Sequence, residues 1–320
     1  MHLALQIALY VLAALVGGFL LSYVVVNVAL FVKFFMKVPS KKLRKNALKD
    51  EYYDGLREEM LAASERMDNM PNTRITCTSK DGLKLSARHY ENESDKLIVF
   101  FHGAHAVAWN GLAFVAETFL QRKYNVLIVD QRAHGQSEGR FFTYGCRESD
   151  DVLCWLDRLA DTNLSEIILY GISMGATALG LASDRIKDDR VKALIMDCGF
   201  TSLYDLETHI LNYNHIPGFL MSGLIVAGNT IFRINNKECT QEHIKNSNIP
   251  MLFLHGTADR VVPIECSKNN FDACKAMKEM ITVDGAGHTT ATVVGGEEVR
   301  DKICDFINKA YKTKEENSNE

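Results

Sequence analysis

Apolar positions along the chain follow three patterns, and each predicts a different kind of element. Residues 3–32 contain no charged side chain and are dense in Leu, Val, Ala and Phe. A helix over this run is about 45 Å long, against roughly 30 Å of bilayer hydrocarbon. A buried core helix seldom needs so long an uncharged stretch. A cleaved signal peptide begins with positive charge and ends at small residues, whereas here the positive charge follows. The run reads as one transmembrane anchor, within residues 1–36. Residues 50–69 then show helical spacing at Tyr53, Leu56, Met60 and Met67, and the pattern ends before Pro71. Residues 37–72 therefore form a basic, partly helical linker.

From Thr73 the period changes to two. Alternation before and after Asp81-Gly82 predicts a β-hairpin ending near Tyr90. Beyond it come short, continuous apolar runs at 97–101, 126–129, 167–170, 191–196 and 251–254. They are too short for helices and apolar on both faces, as parallel strands covered on both sides must be. Helix-length segments at 106–122, 148–160 and 174–186 lie between them. This alternation predicts an α/β fold with a doubly wound, mostly parallel sheet. Residues 200–248 separate two strands by more than one crossover helix needs, and they carry the apolar run 219–228. They read as a small helical lid inserted into a domain spanning 73–311, followed by a polar tail at 312–320. A longer packed crossover is the alternative.

Charge refines this picture. The net charge of -4, with no cluster of basic and aromatic residues, leaves no surface for nucleic acid. Lys33, Lys37, Lys41, Lys42, Arg44, Lys45 and Lys49 crowd the C-terminal flank of the apolar run. Basic flanks stay on the cytoplasmic side, which predicts a single-pass membrane protein with its main domain facing the cytosol. The eight cysteines show no metal-like or paired spacing. They suit a reducing compartment and imply no structural disulfide.

Candidate chemistry begins at Gly171-Ile172-Ser173-Met174-Gly175, which follows a predicted strand and opens a predicted helix. A strained turn of this kind exposes a serine hydroxyl at a helix N-terminus. A hydroxyl needs a base to become nucleophilic. Downstream, past further strands, lie Asp259 and then His288, in the order Ser…Asp…His. His288 is the candidate base and Asp259 its orienting acid, with Asp197, Asp130 and Asp284 as rival acids. His102 and His134 read as loop braces. His102-x-x-His105 offers a metal pair with no acidic third ligand nearby, so no metal and no cofactor are expected.

Residues 73–311 resemble the α/β-hydrolase superfamily. The likeness rests on five motifs in order besides the elbow: His102-Gly103, Asp130 to Gly139, Asp197 to Ser202, His255-Gly256-x-x-Asp259-x-x-Val262-Pro263, and Gly285-x-Gly287-His288. The nearest branches are anchored bacterial esterase-like and serine-aminopeptidase-like hydrolases. The resemblance implies an oxyanion hole made by the backbone N–H groups of Met174 and Ala104, although His105 stands where many lipases have glycine. It implies a serine hydrolase acting on a small acyl ester, with a thioester, a small amide or a peptide as alternative substrates. A non-catalytic anchored scaffold is the competing class, but none of the three triad residues is missing.

Overall fold

The computed structural model describes residues 2–37, 53–105, 112–215, 217–218, 230 and 234–318. Lys41 to Lys49, the start of the helix expected at 106–122, and the apolar lid run with Leu224 and Ile225 lie outside the described residues.

The sheet has eight strands in the order β1-β2-β4-β3-β5-β6-β7-β8. They are β1 (Thr73–Thr78), β2 (Lys84–Tyr90), β3 (Lys96–Phe101), β4 (Asn125–Asp130), β5 (Glu166–Ile172), β6 (Val191–Asp197), β7 (Met251–Gly256) and β8 (Lys278–Val283). β2 runs antiparallel to both of its neighbours, and every other pairing is parallel. The hairpin and the five expected inner strands are all present.

The continuous apolar runs have a simple physical reason. Ile98 and Phe100 of β3, Val126 and Ile128 of β4, and Ile168 and Tyr170 of β5 join one core layer. Their neighbours Leu97, Val99, Phe101, Leu127, Val129, Ile167 and Leu169 join the layer on the opposite face. The first layer is covered by α2 (Arg57–Asn69), α3 (Leu112–Gln121) and α10 (Gly296–Ser318). The second is covered by α4 (Glu148–Arg158), α5 (Met174–Ala182) and the short α7 (Thr240–Ile244). α6 (Leu203–Tyr213), α8 (Ile264–Ala273) and α9 (Ala291–Val294) are further helices among the described residues. The polar tail continues α10 as helix through Ser318.

α1 (His2–Phe35) is long and apolar enough to cross a membrane. Its last turns do more than lead out of the apolar run. Leu30, Phe31, Phe34 and Phe35 pack into a third cluster with Phe142, Tyr144, Met174, Phe200, Leu206 and Val262. Phe35 is buried. The helix's terminal carbonyls, which have no partners within the helix, find donors in the domain: Tyr144 Oη donates to Phe34 O at 3.0 Å and Phe142 N to Phe35 O at 3.1 Å. Lys37 N returns a bond to Arg140 O at 2.8 Å. The helix expected as an anchor within residues 1–36 therefore also packs against the domain at its C-terminal end.

Candidate active site

β5 ends at Ile172 and α5 begins at Met174, so Ser173 alone makes the turn. Its φ of 52° is one that L-residues rarely adopt. Surrounding structure enforces it. Ser173 N donates to Asp197 O at 2.8 Å. A Cβ on Gly175 would lie 2.0 Å from Phe101 O, and one on Gly171 would lie 2.5 Å from Ala176 N. Both flanking positions thus require glycine for close backbone approach, as the spacing of the motif suggested.

His288 Nε2 lies 3.1 Å from Ser173 Oγ, and His288 Nδ1 lies 2.7 Å from Asp259 Oδ2. The loops after β5, β7 and β8 bring these three side chains together across 115 residues. Asp259 is itself held: Oδ1 accepts from Val261 N at 2.8 Å and Val262 N at 2.9 Å. Burial opposes its charge. The charge of His288 and the hydrogen bonds of His255, His288 and Val262 outweigh that and hold the carboxyl well below the usual range. Asp259 therefore stays ionised and can stabilise an imidazolium.

The rival acids have other partners. Asp197 is fully buried behind the elbow, where Tyr170 Oη donates to its Oδ2 at 3.1 Å. Its Oδ1 has no hydrogen-bond partner, and burial raises its pKa to about 6 against the opposing charge of His255. Asp130 takes Arg74 at 2.7 Å, and Asp284 takes Thr257 Oγ1 at 2.9 Å on an exposed loop. None of the three accepts from His288.

The loop after β3 faces the elbow, and a Cβ on Gly103 would come 3.3 Å from Ser173 Cβ. Ala104 and Met174, the two residues with candidate oxyanion N–H groups, share the third apolar cluster. His102 is fully engaged, with Nδ1 2.7 Å from Gly103 O and Nε2 accepting from Gln131 N at 3.1 Å. His134 Nδ1 meets Arg132 O at 2.9 Å. Burial lowers the pKa of both histidines, as befits neutral loop braces. With both ring nitrogens occupied, His102 cannot share a metal with His105. His105 turns instead toward α1, stacking edge-on against Phe142 at 5.0 Å and bonding to the Phe34 backbone.

Two neighbours of the site stand in motifs quoted from the sequence but had no role assigned there. His255 bonds Ser267 Oγ at 2.7 Å and Val262 O at 3.0 Å, and so fixes the loop that carries Asp259. Its place in the His-Gly pair after a strand was the available signal. Cys198 Sγ lies within 4.8 Å of the Asp259 carboxylate and the His288 imidazole, and its place in the Asp197 to Ser202 motif was the available signal.

The same architecture recurs in known proteins. The Alpha/beta hydrolase family model matches residues 98–237, and the TAP-like protein model matches 232–318. The uncharacterized protein YqkD of Bacillus subtilis is 23% identical over 76% of this chain and 81% of its own length. Human protein ABHD12B is 26% identical over 62% of this chain and 56% of its own. Among solved structures, the Pyrococcus furiosus esterase Pf2001 superposes with a TM-score of 0.62 at 24% identity, covering 76% of this chain and 93% of that one. Est1E from Butyrivibrio proteoclasticus, solved with ferulic acid bound, gives 0.57 at 20% identity, covering 74% and 99%. Sheet order, elbow and family match agree: the chain belongs to the α/β-hydrolase superfamily.

Proposed function

We propose that this hydrolase cleaves carboxylic esters through an acyl-enzyme on Ser173. The relay of 2.7 and 3.1 Å from Asp259 through His288 to Ser173 carries the reading. His288 takes the Ser173 proton as Oγ attacks the carbonyl carbon, then gives it to the departing alcohol. Water repeats the sequence to release the acid. Asp259 holds the imidazole with its Nδ1–H inward and stabilises its cationic form. The N–H groups of Met174 and Ala104 face the oxyanion, the first also lying at the positive end of α5.

Met174 and Ala104 belong to an apolar cluster with Phe142, Phe200, Val262 and Phe35 of α1. They favour an ester whose acyl part is a hydrocarbon chain. Each added methylene then gains up to about 0.8 kcal/mol of binding until the acyl pocket is full. α1 holds the domain at a membrane surface, on the cytoplasmic side by the lysines that follow it.

The test is hydrolysis of p-nitrophenyl esters from acetyl to decanoyl, with p-nitroanilides alongside. We expect kcat/KM to rise with chain length before levelling, and esters to exceed anilides. Ser173→Ala should lower ester turnover by roughly 10³ or more while the protein stays folded. A Ser173→Ala protein of near wild-type activity contradicts the assignment, and faster anilide cleavage would move the substrate class to amides.

A further inference from the structure

Two thiols far from the active site are placed for chemistry that the hydrolase reaction does not use. Cys77 lies near the end of edge strand β1, and Cys154 lies on α4, 77 residues away. Their sulfurs are 2.8 Å apart, against about 2.0 Å in a formed disulfide. Cys77 is buried among apolar side chains, whereas Cys154 is only partly covered. Cys154 lines an open groove of about 760 Å³ together with Thr78, Lys80, Leu153 and Arg158, a size suited to a small molecule. The remaining cysteines are free, and only this pair brings two sulfurs together among the described residues.

We propose that Cys154 and Cys77 form a thiol–disulfide exchange site, taking a low-molecular-weight disulfide of the glutathione class as oxidant. Cys154 thiolate attacks one sulfur of the disulfide RSSR, forming Cys154–S–SR and releasing one thiolate. Cys77 loses its proton to solvent and attacks the Cys154 sulfur, expelling the second thiolate. The protein gives up two electrons and RSSR becomes two thiols. Exposure makes Cys154 the attacking residue and burial makes Cys77 the resolving one. The hydrogen bond between the two thiols also lowers the Cys154 pKa, in the sense an attacking thiol requires. The bond ties β1 to α4, the helix packed beside α5, and closes a long loop in the unfolded chain.

The experiment equilibrates the full-length protein in detergent with glutathione buffers of graded reduced-to-oxidised ratio, quenches with an alkylating agent and maps peptides by mass spectrometry. We expect a Cys77–Cys154 linked peptide that titrates with the ratio and disappears on adding excess reductant. A rise in thermal midpoint of roughly 5 °C should accompany it. Cys77→Ser should leave Cys154 as its glutathione mixed disulfide, and Cys154→Ser should leave Cys77 unmodified. Wild-type protein that stops at the mixed disulfide with Cys77 free, or that links these residues only after denaturation, overturns the proposal. So does preferential linkage of another cysteine pair at the same ratio.

Discussion

Ser173 sits at a φ of 52°, a conformation whose cost, about 1–3 kcal/mol, is met by the backbone bond to Asp197 and the close approach of Gly175 to β3. The strain points the hydroxyl at His288. The acid behind that histidine gives a sharp test, because two buried carboxylates lie nearby with opposite electrostatics. Asp259→Asn should lower kcat by about 10⁴, since an amide at Oδ2 favours the wrong imidazole tautomer. Asp197→Asn should stay within about tenfold of wild type, because Asp197 bonds Tyr170 and not His288. Steady-state kinetics on one ester decides it, and the reverse ranking would exchange the two roles. Glu207 supplies a second residue-scale prediction. Burial raises its pKa from 4.5 to about 7, although Asn236 donates to it at 3.3 Å. The folded state holds the proton more tightly, so stability is undiminished below pH 4.5 and falls as pH rises toward 7. The full cost, ~3 kcal/mol, applies above that. Glu207→Gln should raise the thermal midpoint at pH 8 by several degrees and change it little at pH 4.5. Equal shifts at both pH values would assign the effect to packing.

At the scale of elements, α1 is the part whose role differs most from its sequence pattern. Phe31, Phe34 and Phe35 lie in or beside the apolar run, and nothing within one helix distinguishes lipid-facing aromatics from side chains that pack on a domain. The distinction comes from Tyr144 and Phe141, more than a hundred positions away, whose rings lie 5.5 Å from Phe35 and 5.6 Å from Phe31. Removing residues 2–28 should therefore leave hydrolysis of a soluble ester intact. Removing everything to Lys49 also strips Leu30, Phe31, Phe34 and Phe35 from the cluster that contains Met174, and should lower kcat/KM by tenfold or more. The comparison is made on purified truncations with matched circular dichroism. Equal activity in the two would show that the last turns of α1 are dispensable. The other elements were more legible. Five apolar runs became inner strands because both faces of a covered parallel sheet must be apolar, and that requirement is written in consecutive residues. Contacts such as His255 with Ser267 are set by tertiary packing and leave no comparable trace.

Across the whole molecule, the strand ends that carry Ser173, Asp259 and His288 were readable because the sheet follows a regular alternation of strand and helix. How α1 meets the domain was not, since it depends on chain segments distant in sequence. The central claim is that Ser173 is a nucleophile activated by His288 and Asp259. Its most direct measurement is labelling of the full-length protein with a fluorophosphonate, followed by mass spectrometric location of the adduct. The account predicts one adduct, on Ser173, formed at a rate reduced by roughly 10³ or more in His288→Ala and abolished in Ser173→Ala. Adduct formation on a different residue, or labelling of Ser173 at an unchanged rate in His288→Ala, would contradict it.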